Sequence, residues 1–221
     1  MTTNIVMLLY PGLTQLDLTG PFEVLRRAPD VAVHLAWKNM DLVRADSGMG
    51  IMPTTSFASC PKADVLFVPG GGGQTALMTD ETVLDFLGAH GETAEWVTAV
   101  CTGSLLLGAA GLLKGYKAAT HWAFMELLPA VGAIPVSERV VIDRNRMTGG
   151  GVTAGIDFGL HLIAKLRGEA AAKRVQLEIE YDPAPPFHSG HPRVADKEII
   201  EAAQRGFKDR LEARKKQLGL S

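Results

Sequence analysis

The sequence predicts an α/β fold in which a mostly parallel sheet is covered by helices on both faces. Short runs of β-branched and apolar residues alternate along the chain with segments of helical periodicity, which is typical of strands joined by crossover helices. The strand-like runs pass into helices through short turns that contain glycine. Because 47% of the 221 residues are apolar, the chain can bury one substantial core.

The first half of the chain supplies the strands that we expect near the centre of the sheet. A helix opens at Thr14, after the Pro11-Gly12 turn, and bends at Gly20-Pro21. Segment 41–55, punctuated by Ser47-Gly48, predicts antiparallel structure at a sheet edge. The predicted strands lie over residues 5–10, 31–38 and 64–69, and a further helix lies over residues 80–90.

The second half repeats the alternation of strand and helix. An apolar run ending at Val100 leads directly into Cys101 and a short helix, which Gly111 is expected to stop. Residues 118–122 predict a strand end, and residues 140–147 predict one more strand. The remaining helices are predicted over 152–166, from Gly168 to about Tyr181, and over 197–218.

A proline-rich break divides the predicted organisation into two parts. Residues 1–182 form the α/β domain, whereas residues 183–221 contain the segment Pro183-Ala184-Pro185-Pro186 and a charged amphipathic helix. A tail of this kind is usually solvated or binds a partner.

Composition narrows the class of protein and its compartment. The cysteines, Cys60 and Cys101, form no C-x-x-C pair, which argues against a disulfide framework or a cysteine-based metal site. The N-terminal apolar stretch has no positive region before it and is too short to span a bilayer. We therefore expect a cytoplasmic protein without a membrane partner. A net charge of −2 gives no electrostatic case for nucleic acid.

Cys101 is the predicted centre of the chemistry. Ala99 and Gly103 are small residues on either side of it, so the chain can turn sharply from strand to helix and present the side chain at the helix N-terminus. Free N–H groups and the helix dipole stabilise a thiolate at such a position. The alternative is a buried structural cysteine that acts as a small hydrophobe.

A run of four glycines, 70–73, follows the strand over 64–69. Glycines let a backbone approach a ligand with exposed N–H groups, so we predict that Gly71 and Gly72 contact substrate. A flexible turn is the alternative. No Gly-Lys-Ser/Thr follows, and the spacing is not a dinucleotide fingerprint, so no nucleotide cofactor is expected.

The predicted topology brings Asp17 to the same place. Ligands on open parallel sheets bind beyond the carboxyl ends of the strands, and Asp17, the glycine run and Cys101 each follow one strand. Asp17 also stands three residues after Thr14, where its carboxylate could instead complete a variant capping box.

These motifs also carry a family resemblance. The run Cys101-Thr102-Gly103-Ser104-Leu105-Leu106-Leu107, followed by Ala119-Thr120-His121-Trp122, resembles the ThiJ/PfpI superfamily, whose fold is flavodoxin-like with a cysteine at a strand–helix nucleophile elbow. The segment from Leu13 to Pro21 is similar to the isonitrile hydratase branch. The resemblance spans about residues 5–182. Some AraC-type regulators share these motifs but continue into a helix-turn-helix domain, before which we expect this chain to end.

Departures from sister branches refine that resemblance. Peptidase-like and glyoxalase-like members carry histidine after the cysteine, whereas this chain has Thr102, which disfavours peptidase chemistry. His121 is the histidine expected near Cys101, either contacting substrate or serving as a structural residue beneath the site.

The resemblance implies hydration of an isocyanide to an N-substituted formamide, without metal or cofactor, by a homodimer. In this hypothesis Asp17 protonates the isocyanide carbon, Cys101 attacks it to give a thioimidate, and the carboxylate then activates water. The amides of Thr102 and Gly72 stabilise developing charge, and the Thr102 hydroxyl orients Asp17 or the water. The alternative function is a non-catalytic redox or ligand sensor based on Cys101.

Overall fold

The computed structural model of the chain describes residues 2–220. Met1 and Ser221, which begin and end the two predicted parts, lie outside the described residues. The division at Asp182 stays a prediction.

The strands and helices follow the predicted order. The strands are β1 (Thr3–Leu8), β2 (Val31–Trp37), β3 (Val43–Arg44), β4 (Gly50–Ile51), β5 (Thr55–Ser56), β6 (Val65–Val68), β7 (Trp96–Val100), β8 (Lys117–Ala118), β9 (Ile134–Pro135), β10 (Val140–Asp143) and β11 (Arg146–Gly149). The helices are α1 (Gln15–Leu25), α2 (Gln74–Leu77), α3 (Glu81–Gly91), α4 (Gly103–Ala109), α5 (Ala154–Arg167), α6 (Glu169–Glu178) and α7 (Lys197–Gln217).

Seven strands within residues 2–220 form the main sheet, in the order β10-β11-β7-β6-β1-β2-β5. All neighbouring pairs are parallel except β10 and β11, which confirms the mostly parallel α/β architecture. The chain builds outward from β1 to β5 and then returns to the other side of β1 as β6. The strand order therefore reverses between β1 and β6, the kind of position where open α/β sheets bind ligands.

Burial explains why the central strands form where they do. All residues of β6 are buried, as are the last four of β1 and of β7, since helices cover both faces of a parallel sheet. The helices fall into two groups by their contacts. Helix α1 packs on α5 and α5 on α6, whereas α2 packs on α4 and α7.

The structure corrects three details of the predicted elements. The single strand expected over 140–147 is an antiparallel hairpin of β10 and β11, which turns at Arg144 with a φ of 54°. The hairpin within 41–55 forms as β3 and β4, but it is separate from the main sheet. The strand end predicted over 118–122 lies at Ala118, where β8 stops, and residues 122–131, for which no element was predicted, form a 3-10 helix. Gly111 adopts a φ of 78° directly beyond α4, as its predicted role in stopping that helix requires.

The tail differs most from its expected character. Helix α7 packs on α2 and on the 3-10 helix 122–131, with Phe207, Leu211 and Leu218 against the core. One face of the tail is therefore buried rather than solvated. No helix within residues 2–220 combines the length and the apolar character needed to cross a membrane.

Gly103 is where the sheet and α4 approach most closely. A Cβ at this position would overlap the Val68 carbonyl oxygen and lie 2.7 Å from that of Pro69. The backbone of α4 can therefore meet the end of β6 only through a glycine.

We expect Gly103→Ala to lower the free energy of unfolding by about 1 to 3 kcal/mol, because the added methyl group overpacks rigid backbone. Gly88→Ala is the matched control, since a Cβ at Gly88 in α3 meets nothing within 4 Å and should raise stability by about 0.5 to 1 kcal/mol. Urea unfolding of both variants measures the two effects. Equal effects would contradict the close approach at Gly103.

Candidate active site

Cys101 sits on a strained turn between β7 and α4. Its φ is 53°, a left-handed value that is uncommon for a residue with a side chain. Its N–H donates to the carbonyl oxygens of Gly149 and Gly150 at 3.1 and 2.7 Å. Its carbonyl oxygen accepts from Ser104 Oγ at 3.0 Å and Thr120 Oγ1 at 2.8 Å. These bonds stabilise a nucleophile-elbow conformation.

The thiol of Cys101 is 5% exposed, and burial raises its pKa well above the usual value. The neighbouring Asp17 carboxyl raises the pKa further, whereas the Thr102 N–H and the positive charge of Arg214 lower it. The sequence predicts a thiolate stabilised by the helix N-terminus. In the structure that contribution is outweighed, so the resting sulfur carries its proton.

Asp17, on the first turn of α1, is fully buried. A Cβ placed on Gly70 would lie 2.7 Å from Asp17 Oδ2, 2.7 Å from Thr102 N and 2.8 Å from Cys101 Cβ. The carboxyl group and the elbow therefore meet across Gly70, which has no side chain to separate them. The topology thus brings together the predicted acid and nucleophile.

Burial raises the pKa of Asp17 to about 7, against the lowering effects of the Cys101 thiol and the Gly70 N–H. Both of these groups lie near the Asp17 carboxyl group, but within residues 2–220 neither of its oxygens makes a hydrogen bond of good geometry. Two buried acids in contact resist holding two negative charges. Near neutral pH, Asp17 and Cys101 therefore form a pair that readily keeps one proton between them.

The capping alternative for Asp17 is wrong. The Thr14 N–H donates to the Gly70 carbonyl oxygen at 2.9 Å, and the Thr14 hydroxyl donates to Asp46 Oδ2 at 2.7 Å. Thr14 makes no side-chain cap bond to the start of α1. A carboxylate buried at this place without a capping role is a candidate for chemistry.

The glycine loop is held through its carbonyl groups. The Tyr10 hydroxyl donates to Pro69 O at 2.8 Å, Thr14 N to Gly70 O, and Arg214 Nη2 to Gly71 O at 3.1 Å. Three successive peptide planes are thereby fixed from two distant parts of the chain, the β1–α1 connection and α7. The flexible-turn alternative does not describe this loop.

The N–H groups of these planes point to three different places. That of Gly70 faces Asp17, and that of Gly71 donates to Thr102 Oγ1 at 3.1 Å. That of Gly72 makes no hydrogen bond within the described part of the chain, and the residue is exposed. Gly72 therefore offers a free donor, whereas contact of the Gly71 N–H with substrate would require the Thr102 bond to open. The Thr102 hydroxyl bonds Gly71 rather than Asp17.

His121 lies at the start of the 3-10 helix 122–131. Burial lowers its pKa to about 4, and Arg214 adds to that effect, so the ring is neutral near pH 7. Its Nδ1 accepts from Ala123 N at 3.3 Å, which assigns the proton to Nε2. Its ring contacts Phe207 of α7 at 5.0 Å between centroids.

A cavity of about 340 Å³ lies beside the elbow. Thr120 and Gly150, which bond the Cys101 backbone, form part of its wall. His121, Trp122 and Val152 line it as well, and His191, Arg139 and Arg193 lie on its wall, so it offers apolar surface together with two imidazoles and charged groups. Cys101 and Asp17 do not themselves line the cavity, so it adjoins the elbow through Thr120 and Gly150.

Two residues that hold the site were missed by the sequence analysis, Tyr10 and Arg214. Tyr10 is indistinguishable in sequence from any strand-end aromatic residue. Arg214 left a signal, because it occupies the same helical stripe as Phe207, Leu211 and Leu218. A charge on an apolar stripe indicates a buried partner.

No group of three or more His, Cys, Asp or Glu side chains within residues 2–220 is arranged to hold a metal ion.

Comparison with known proteins places this site in a family context. The model of the DJ-1/PfpI family matches residues 3–165. The chain is 53% identical to the isonitrile hydratase of Pseudomonas putida, over 93% of this chain and 90% of that protein. It is 34% identical to the HTH-type transcriptional regulator GbdR of Pseudomonas aeruginosa, over 81% of this chain and 51% of that protein.

A solved structure shares the fold over nearly the whole chain. The crystal structure of a ThiJ/PfpI family protein from Pseudomonas syringae matches with a TM-score of 0.97 at 43% identity. The match covers 99% of this chain and 91% of that one, and therefore includes the C-terminal helix.

The raised pKa of Asp17 predicts a pH-dependent stability. The unfolded carboxyl group loses its proton near pH 4, whereas the folded one keeps it to about pH 7. As the pH rises from 4 to 7, the free energy of unfolding of the wild type should therefore fall, relative to that of Asp17→Asn, by up to about 1.4 kcal/mol per pH unit. Above pH 7 the difference between the two proteins should stay constant. Urea unfolding of both proteins from pH 4 to 8.5 measures the difference, and parallel curves would contradict the assigned burial of this charge.

Proposed function

Because this chain belongs to the DJ-1/PfpI family, we propose that its elbow cysteine serves the reaction of its hydratase relative, the addition of water to an isocyanide to give an N-substituted formamide. The observation that carries the proposal is the buried contact of the Asp17 carboxyl with the Cys101 thiol. The 53% identity to the isonitrile hydratase of Pseudomonas putida supports the substrate class.

The first step uses the single proton of the pair. The thiol proton passes to Asp17, which donates it to the terminal carbon of R–N≡C as the thiolate attacks that carbon. The C–S bond forms, and a thioimidate, R–N=CH–S–Cys101, results. A carboxyl group with a pKa of about 7 is a stronger proton acceptor than an exposed aspartate, and it can also return the proton near neutral pH.

The second step uses the same carboxylate as a base. Asp17 takes a proton from water, the hydroxide adds to the thioimidate carbon, and the nitrogen receives the proton. The tetrahedral intermediate then releases R–NH–CHO by breaking the C–S bond, and the hydroxyl proton returns to the thiol–carboxyl pair. Atoms and charge balance without an external reductant or oxidant.

Two backbone N–H groups are the proposed hydrogen-bond donors to the negative charge that develops during these steps. The Thr102 N–H faces the sulfur, and the Gly72 N–H is free to donate. Such donors commonly contribute about 3 kcal/mol each to transition-state stabilisation. The substituent R occupies the 340 Å³ cavity beside the elbow, where the Nε2–H of His121 can donate to the substrate. That the protein acts as a cytoplasmic homodimer stays a prediction.

A non-catalytic sensor is the alternative for the same cysteine. Oxidation by peroxide proceeds through an accessible thiolate, but this thiol is buried and its pKa is raised. The site therefore favours the hydratase. Rapid oxidation of Cys101 by peroxide, without any formamide formation from isocyanides, would support the sensor instead.

We expect Cys101→Ala to reduce conversion of an alkyl or aryl isocyanide to its formamide to the uncatalysed rate. Asp17→Asn should lose most turnover as well, since an amide neither donates the proton nor accepts it from water. Formamide production followed by chromatography measures both, with circular dichroism as the folding check.

Cys60→Ala is the matched control for these variants. Burial alone raises the pKa of Cys60 to about 11, and no carboxyl group contributes to that shift as Asp17 does for Cys101, so loss of the Cys60 thiol should leave turnover unchanged. Intact-protein mass spectrometry should detect the thioimidate adduct on the wild type and on Cys60→Ala, but not on Cys101→Ala. Undiminished turnover in Cys101→Ala would falsify the nucleophile assignment.

The proton count of the pair predicts the pH dependence of kcat/KM. The reactive form holds one proton, and the doubly protonated form predominates below the Asp17 pKa of about 7. We therefore expect kcat/KM to rise as the pH increases through an apparent pKa near 7, a value that belongs to the coupled pair. Initial rates from pH 5 to 9, corrected for acid hydrolysis of the isocyanide without enzyme, measure it. A kcat/KM that does not change with pH below 7 would contradict a reactive form in which Asp17 and Cys101 share one proton.

A further inference from the structure

Helix α7 carries one deeply buried charge. Arg214 is 2% exposed, and within residues 2–220 its guanidinium makes no ion pair with a carboxylate. Its guanidinium carbon lies 4.3 Å from the centre of the Phe124 ring. Burying a cation without an anionic partner lowers the stability of a folded protein. The neutral groups that accept hydrogen bonds from Arg214 therefore indicate the role for which this cost is accepted.

Those acceptors connect α7 to the glycine loop. Arg214 Nε donates to Gln74 Oε1 at 3.0 Å, and Nη2 donates to Gly71 O at 3.1 Å. Nη1 lies 3.4 Å from the Arg210 carbonyl oxygen. Two of these three bonds lead from the C-terminal helix to residues that directly follow β6.

The bond to Gly71 O controls a donor as well as an acceptor. The Gly71 carbonyl and the Gly72 N–H belong to one planar trans peptide, so fixing the first fixes the direction of the second. Gly71 has a φ of 141°, a conformation that glycine adopts without strain. Tyr10 and Thr14 hold the two preceding peptide planes. Within residues 2–220, two side chains bond this third carbonyl: Arg214 Nη2 at 3.1 Å and, at the longer distance of 3.5 Å, the Thr102 hydroxyl.

The charge of Arg214 also acts on the reacting groups. It lowers the pKa of the Cys101 thiol and that of the Tyr10 hydroxyl, and it lowers the pKa of His121. These three groups come from three different segments, which places the guanidinium at their common side. It therefore favours negative charge on the Cys101 sulfur.

We propose that Arg214 is a positioning residue for the reaction, which fixes the Gly71–Gly72 peptide so that the Gly72 N–H stays oriented as a donor, and which supplies positive charge on the side of Cys101. This role rests on the proposed function of the site. It makes the C-terminal helix part of the active site, although the sequence places it in a separate tail.

Arg214→Met tests the proposal, because methionine keeps an apolar stem against Phe124 but has no donor and no charge. We expect kcat to fall by roughly a hundredfold, as for loss of an oriented oxyanion donor, with a much smaller change in KM. Arg210→Met is the matched control. It removes an exposed arginine one turn earlier on α7, and kcat should stay within about twofold of wild type, in keeping with the small effects of exposed surface substitutions.

Hydrogen exchange of the α7 amides separates positioning from simple loss of packing. Phe207→Ala provides the comparison, because it weakens the packing of α7 on the 3-10 helix 122–131 without touching Arg214. If Arg214→Met leaves α7 protected and kcat within threefold of wild type, the proposal is overturned. The proposal is also overturned if Arg214→Met and Phe207→Ala reduce the protection of α7 equally and lower kcat equally. A larger loss of kcat in Arg214→Met than in Phe207→Ala supports it.

A second readout does not depend on the substrate. Iodoacetamide alkylation of Cys101, followed by peptide mass spectrometry, reports the ionisation of the thiol. The charged and titratable groups that face this thiol are Asp17 from α1, Tyr10 after β1 and Arg214 from α7. The alkylation profile should shift to higher pH in Arg214→Met and stay unchanged in Arg210→Met. An unshifted profile overturns the charge role, and failure of wild type to hydrate isocyanides overturns the proposed function alone.

Discussion

A carboxyl group with no exposed surface lies against a buried thiol, and the rest of the site is arranged around this contact. Two anions cannot share a space with so little water, so burial raises both acid pKa values and the pair keeps a proton near neutral pH. The contact needs the absence of a side chain at Gly70. It also needs the reversal of strand order between β1 and β6, which brings α1 and the elbow to the same edge of the sheet.

The backbone of the glycine loop is fixed by hydrogen bonds to its carbonyl groups. The carbonyls of Pro69 and Gly70 accept bonds from the β1–α1 connection, and that of Gly71 accepts one from α7. The orientation of every N–H in this stretch is therefore set by distant parts of the chain. The N–H of Gly71 then holds Thr102, which lies next to the nucleophile. The loop is thus a rigid connection between β1, α4 and α7, and glycine is required for close approach rather than for mobility.

Much of the fold and part of the site could be predicted from the sequence. Alternating apolar runs and helical segments indicated the parallel sheet, and the small residues around Cys101 indicated the elbow, since both depend on local periodicity and local sterics. The turn at Arg144 and Asn145 was missed although Asn145 is a common turn residue, because Arg144, which adopts a φ of 54°, is of a residue type that rarely takes a left-handed conformation. The 3-10 helix 122–131 was missed although its buried residues, Phe124, Leu127, Leu128 and Val131, have a helical spacing, because most residues on its other face are apolar as well and obscure that spacing.

The sequence by itself determined the order of the central strands and helices, the nucleophile candidate and the acid candidate, because these follow from residue type and spacing along the chain. Only the tertiary structure decided the charge state of that acid and thiol, since a pKa depends on burial and on neighbours that are distant in sequence. It also decided that Thr102 bonds Gly71 rather than Asp17, and that Arg214 reaches the loop across 143 residues. Such contacts are absent from local patterns because they arise only when separate helices pack on one edge of the sheet.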